Sequence, residues 1–402
     1  MLHFWAHVFG DSDFALRALP ALIGTLTVPV AFPLARSLGC APRAAACAVG
    51  LSAASPFLVF YAQENRKYAL FMFLTMLGSW AFLRAVQEQR HRRWLWIYAI
   101  CSIFLVYTQY FAFFVLLAHE IAFWTHVASH RPRGQLSART WLVGRVGLAL
   151  SFLPWALWAA RHLGTQARDW IGPPWLRLPY AFLRDFLGYG IAAADRTRYG
   201  SSVWQLVREE ALITLPGLLL FAWLLVRGVR QLGRDPLVRT LLYGLLLLPI
   251  LVLFVLSPWI TLVHERYLCF QVPFLLILCG AGLERARIAA WYALAPILAL
   301  AFVAYYAAPG YVLGYRLRYG KENWRDAATY VESRGPLNVV FEYPHLQLAF
   351  GRYFHPSQMS VRARQTAYVS RANAMSVGPR FVEERVFSEG VGVCIRIYKS
   401  EE

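Results

Sequence analysis

Apolar stretches close to the roughly 20 residues that cross a bilayer recur from residue 14 to residue 308. In hydrocarbon every backbone N–H and C=O must be satisfied within the protein, so such stretches fold as helices, and about ten of them make a helical bundle. Apolar length places spans at about 14–36, 45–61, 68–86, 94–109, 110–128, 141–160, 211–229, 238–258, 267–284 and 288–308. The 402-residue chain is 58 % apolar, above the share usual for a soluble domain.

A formal charge of +18 invites a nucleic-acid partner, but its distribution excludes that reading. The arginines gather in alternate connections. Arg36 and Arg43 lie in one; Arg84, Arg90, Arg92 and Arg93 in the next; then Arg131, Arg133 and Arg139; then Arg227, Arg230, Arg234 and Arg239; then Arg285 and Arg287. The positive-inside rule puts these in the cytoplasm. The Glu64 segment, the long connection 161–210, the His264 segment and everything after 308 then face outwards, and the protein is expected in the bacterial inner membrane. An arginine-rich composition with scarce lysine (Lys67, Lys321 and Lys399 only) also points to a bacterium with a GC-rich genome.

Residues 1–13 fall outside on this topology, and Leu2, Phe4, Trp5, Val8 and Phe9 suit a short amphipathic helix along the interface. No signal peptide precedes them, which points to a further span ahead of this segment. From 309 to 402 the composition becomes that of a small soluble α/β domain on the outer side. Asn323 caps a helix with Asp326 in its first turn, Leu337–Tyr343 reads as a buried strand, and Val391–Tyr398 alternates like a half-buried one. The 1–308 region is the membrane domain. The six cysteines lack disulfide or zinc spacing and read as small apolar residues.

Charge wedged between spans asks for a reason, because a charged side chain costs roughly 2.5–3.5 kcal/mol at the centre of a span. Ser55-Pro56-Phe57 runs into Tyr61-Ala62-Gln63-Glu64-Asn65-Arg66-Lys67-Tyr68. This is either an ordinary turn with its charges in water or a site for an anionic, lipid-borne substrate. His119-Glu120 falls within a span and reads as a buried hydrogen-bonded pair, with a proton path as the alternative. In 161–210, Asp169-Trp170 and Pro173-Pro174-Trp175 suggest an interfacial segment, and Asp185, Asp195, Glu209 and Glu210 add acids. No glycine-rich phosphate loop follows a strand.

The order of segments resembles GT-C glycosyltransferases of the dolichyl-phosphate-mannose–protein mannosyltransferase superfamily, which includes bacterial aminoarabinose transferases. The resemblance is carried by Phe9-Gly10-Asp11-Ser12-Asp13-Phe14 through Pro20, by Ser55-Pro56-Phe57 with Gln63 to Leu70, and by Tyr107-Thr108-Gln109-Tyr110-Phe111. It continues through His264-Glu265-Arg266-Tyr267-Leu268 to Glu322-Asn323-Trp324-Arg325-Asp326. It implies transfer of a sugar from a polyprenyl-phosphate donor to a lipid, glycan or protein acceptor on the extracytoplasmic face. It also implies a catalytic acid in a first external loop, which normally lies ahead of the interfacial helix; Asp11 and Asp13 follow that helix and do not match it. Gln109 stands where the family often has a histidine.

The chemistry demands fixed cations and hydroxyls around the leaving phosphate and a carboxylate near the acceptor hydroxyl. Arg66, Lys67, Tyr68, His264, Arg266 and Tyr267 are the candidates for the phosphate, with Tyr61, Gln63 and Tyr110 lining the pocket. Their alternative role is to anchor span ends. Glu64 is the candidate catalytic carboxylate; orienting Arg66, touching the sugar, binding a metal or forming an interfacial ion pair are its other possible roles. No cofactor is assigned, although a divalent metal fits such a site. A transporter or flippase for lipid-linked sugars, or an idle relative that binds lipid phosphate, are the rival readings.

Overall fold

A computed structural model describes residues 1–10, 12–88, 92–129, 136–162, 219–256 and 265–284. It also describes 324–334, 338–341, 347, 350–354, 365–371, 383–387 and 393–399. The chain divides into two compact units, one of Met1–Gly190 with Glu210–Trp291 and one of Ile191–Glu209 with Tyr292–Glu402. The expected boundary near 309, the 161–210 connection from residue 163 on with its acids, the 288–308 span, Asp11, His264 and Asn323 lie outside the described residues.

The first unit is a helical bundle. It opens with α1 (Leu2–Phe9), α2 (Asp13–Ser37), α3 (Pro42–Ala54), α4 (Pro56–Ala62) and α5 (Tyr68–Gln87). There follow α6 (Arg92–Thr108), α7 (Ala112–Ser129), α8 (Ala138–His162), α9 (219–232), α10 (Pro236–Leu246), α11 (Leu248–Leu256) and α12 (Val272–Glu284). Among the described residues six segments are long and apolar enough to cross a membrane: Phe14–Ser37, Tyr68–Gln87, Ala112–Ser129, Ala138–Arg161, Pro236–Leu256 and Arg266–Glu284. The protein is a polytopic membrane protein.

Three expected spans are broken. The 45–61 stretch divides at Ser55, whose extended backbone (ψ 116°) reflects the steric demand of Pro56 on the residue before it. The 238–258 stretch divides at Leu247, between α10 and α11. The 267–284 stretch begins as a 3-10 helix, Glu265–Gln271, before becoming α12. At the start of the chain α1 buries no residue and leaves Phe4, Val8 and Phe9 exposed. Its Trp5 indole N–H donates to the carbonyl of Ala15 at 2.7 Å, tying it to α2, whose N-cap Ser12 accepts from Ala15 N.

Lipid tails are as apolar as leucine, so helices in a membrane adhere by close packing of small residues and by hydrogen bonds. Ala44, Ala45, Ala48 and Ser52 form the buried face of α3, and Gly280 of α12 meets it so closely that a Cβ there would lie 2.6 Å from the Ala44 carbonyl oxygen. Gly228 of α9 abuts the Leu278 backbone, and Gly282 of α12 abuts that of Leu224.

The polar bonds join α5 to α8. His119 is fully buried in α7, with Nδ1 3.1 Å from the Tyr98 hydroxyl of α6 and Nε2 3.0 Å from Ser79 Oγ of α5. Its neighbour Glu120 is ion-paired with Arg145 of α8 and accepts from the Trp141 indole N–H at 2.8 Å. Arg145 also donates to the Tyr98 oxygen at 2.5 Å, and its guanidinium lies 4.0 Å from the Trp141 ring centroid. The Tyr98 oxygen is thus shared between the Arg145 guanidinium and the His119 ring. The expected buried pair is therefore a four-helix network, and Arg145, absent from the sequence reading, completes it.

In the second unit, α13 (Trp324–Ser333) lays Trp324, Ala327, Ala328 and Val331, spaced as one helical face, on a four-stranded sheet. The strands β1 (Asn338–Phe341), β2 (Gln365–Arg371), β3 (Glu383–Phe387) and β4 (Val393–Lys399) lie in the order β1-β2-β4-β3. The β1–β2 pair is parallel and the others antiparallel. Two strand expectations are corrected here. The segment read as buried is edge strand β1, with Val340 40 % exposed, whereas β4 is interior and buries Arg396 beside Ile395 and Ile397. Position in the sheet, which alternation along one strand does not encode, decides both.

Removing Glu120 strands Arg145 with its charge and its depth unchanged. Glu120→Ala is expected to cost roughly 3 kcal/mol in unfolding of the detergent-solubilised protein, while Glu120→Met with Arg145→Met recovers most of it. At the close crossing, Gly282→Val is expected to lower stability by about 2 kcal/mol by forcing α9 and α12 apart.

Candidate functional site

The turn between α4 and α5 is set by short backbone bonds. Glu64 N donates to Tyr61 O at 3.4 Å and Arg66 N to Glu64 O at 2.7 Å; the Phe71 N to Lys67 O bond at 2.9 Å then starts α5. This helix begins against the usual rules. Its N-cap residue is Lys67, no side chain caps the first amides, and no acidic residue stands in its first turn. A helix N-terminus carries partial positive charge and unsatisfied N–H groups, so cations there are unfavourable unless an anion joins them.

A third cation comes from the far end of the sequence. The 3-10 helix Glu265–Gln271 packs against α5 through Phe270, whose ring centroid lies 5.4 Å from that of Phe71. Gln271 pins it from below, its buried amide donating to the carbonyls of Leu245 (2.9 Å) and Leu246 (3.0 Å) where α10 breaks from α11. Arg266 is thereby held close enough to Lys67 and Tyr68 to act on both electrostatically, and its guanidinium lies 5.4 Å from the Tyr267 ring centroid. Crowding by protein, and then repulsion from Arg266, holds the Lys67 ammonium below the ordinary lysine range, even though the side chain keeps contact with solvent.

Two aromatic groups adjoin the turn. Tyr61 is stacked edge-on to Tyr68 at 5.2 Å and packs on Phe57 at 4.7 Å, and Tyr267 meets Phe111 at 5.2 Å. Glu64 stands 4.0 Å from Arg66 Nε. The structure thus brings together Tyr61, Glu64, Arg66, Lys67, Tyr68, Arg266 and Tyr267. Gln63 is exposed on the same turn. Tyr110 goes elsewhere: its ring packs on Trp155 of α8 at 5.2 Å, and the neighbouring Phe111 takes the inward position. Phe111 and Gln271 escaped the sequence reading. The break between α6 and α7 could have indicated the first, and a buried glutamine beside an Arg-Tyr pair the second. Among the described residues no group of three His, Cys, Asp or Glu side chains is placed to hold a metal ion.

Residues 1–158, which include the Glu64 turn, match the sequence model of the dolichyl-phosphate-mannose-protein mannosyltransferase family. Among solved structures the chain is similar to ArnT from Cupriavidus metallidurans in the apo state, with a TM-score of 0.54 at 14% identity. It is also similar to the same protein bound to undecaprenyl phosphate, with a TM-score of 0.51 at 14% identity; each alignment covers 98% of this chain and 86% of that one. The chain shares the fold of ArnT. No curated protein matches by sequence. The contact of the Arg266 segment with α5, through Phe270 on Phe71, joins residues about 200 positions apart in the sequence.

The depressed Lys67 pKa has a signed consequence. An anion bound beside Lys67 favours its ammonium form, so affinity for an anion that does not itself titrate is level below the depressed pKa and falls as pH rises through it. That fall is expected to begin below the ordinary lysine range in a binding titration, and to vanish in Lys67→Arg, whose guanidinium stays charged.

Proposed function

We propose that the protein transfers a sugar from a polyprenyl-phosphate donor to an acceptor hydroxyl at the extracytoplasmic face of the bacterial inner membrane. The observation that carries this is the convergence of Arg66, Lys67 and Arg266 on the uncapped start of α5, a place built for an anion. Support comes from the mannosyltransferase-family match over residues 1–158 and from the likeness to ArnT, solved with undecaprenyl phosphate.

In the reaction, the acceptor oxygen attacks the anomeric carbon as the bond from that carbon to the phosphate oxygen breaks. The electron pair leaves with the phosphate. Arg66 and Arg266 meet the charge that grows on the phosphate oxygens, arginine's planar fork matching a phosphate face, while Lys67 supplies a point charge. Tyr68 and Tyr267 offer hydroxyls and ring faces. The acceptor proton passes to Glu64, whose carboxylate also keeps Arg66 oriented. His264, which precedes Arg266 in sequence, joins the phosphate-binding group in this reading.

Arginine-rich connections then face the cytoplasm, and the Glu64 turn and the C-terminal unit face outwards. Loss of either arginine is expected to reduce sugar transfer from a radiolabelled lipid donor by roughly 100- to 1,000-fold with the protein still folded and inserted. Full transfer by both Arg66→Ala and Arg266→Ala would overturn the assignment.

A further inference from the structure

The opposite end of the bundle holds a second basic cavity. Arg36 at the end of α2 and Arg84 near the end of α5 line it together with Arg234 in the turn after α9, and it has a volume of about 690 Å³. The size lies within the roughly 300–1,000 Å³ of small-molecule sites. Because α5 runs from Lys67 to Gln87, this cavity and the donor site are at opposite ends of one helix. Gln87 donates to the Ser37 carbonyl at 3.2 Å, which closes α5 on α2 along one side.

The charge in this cavity is only partly answered. Arg84 pairs with Glu88, and Arg36 donates to the Cys40 carbonyl. Arg234 makes no ion pair among the described residues. Asp235, the acid in the lining, spends its carboxylate on the Leu237 N–H at 2.8 Å as the cap of α10. Trp80 and the 40 % exposed Phe32 supply apolar lining. Arginines beside a tryptophan and an exposed phenylalanine, at the end of membrane-crossing helices, match the two halves of an anionic lipid, a phosphate head and the start of its acyl chains.

We propose that this cavity is a second phosphate site, which binds the headgroup of an anionic lipid and is separate from the Lys67–Arg266 site. A free phosphate shares the headgroup's chemistry, so both probes are needed. The full-length protein in detergent is titrated with phosphatidylglycerol by native mass spectrometry and with inorganic phosphate by calorimetry. Arg234→Gln is the test variant, because its exposed side chain holds no described ion pair, and Arg36→Gln with Arg234→Gln is the second. Each arginine removed is expected to weaken phosphatidylglycerol binding roughly fivefold. Phosphate binding that weakens likewise, without a phosphatidylglycerol adduct, supports the site with a soluble ligand. Binding of both probes unaffected by either variant, or an adduct lost in Arg66→Gln alone, overturns it.

Discussion

Arg145 sits in α8, a helix long and apolar enough to cross a membrane, and a guanidinium at such a depth must be answered by protein. Glu120 answers the charge, Trp141 lends its ring face, and Tyr98 passes the bonding on to His119 and Ser79. Four helices are thus held in one register by a network in which each member's bond conditions the next. Without the hydrophobic effect to drive helices together in lipid, a polar network of this kind, supported by glycine and alanine contacts, is what fixes their relative positions. The α5 start, where the proposed donor site is built, inherits its place from that arrangement.

The two ends of α5 use charge differently. Near its C-terminus Arg84 is answered by Glu88, and Trp94 donates its indole N–H to the same carboxylate at 2.8 Å. At its N-terminus the helix dipole, Lys67, Arg66 and Arg266 add rather than cancel. Such an arrangement works against stability, and breaks in local rules of this kind are expected where a site is functional or strained. Gln271 and the Phe71–Phe270 contact supply the compensation, since they hold the 3-10 segment against its own repulsion.

Much of this was legible in the sequence, and the remainder was hidden for definite reasons. The apolar spans, the short first helix, the Lys67 turn and the Arg266 segment stand out because apolar length, amphipathic spacing and charge amid hydrocarbon are local signals. The break at Ser55 was readable from Pro56 and was overridden by apolar length. Glu120 announced the need for a cation, but its partner lay 25 residues along inside another span, and no periodicity connects the two. Tyr110 and Phe111 were exchanged because a helix break resets which side chain faces inward, and hydropathy does not report that reset. The strands failed for the same reason, as order in a sheet is a tertiary property.

A site assembled from residues 64–68 and 266–267 needs two segments that reach the same level of the membrane by different routes. The α4–α5 turn gets there because Pro56 ends one helix early and leaves only a short helix before the turn. The Arg266 segment gets there because 3-10 geometry, rising about 2.0 Å per residue against 1.5 Å in an α-helix, stretches the start of a span without adding residues. Both departures from ideal helices therefore fall where they place cations around one point. In a membrane, irregular backbone survives only where protein or water satisfies it. Gln271, buried and bonded to two carbonyls at another helix break, supplies that satisfaction for the 3-10 segment.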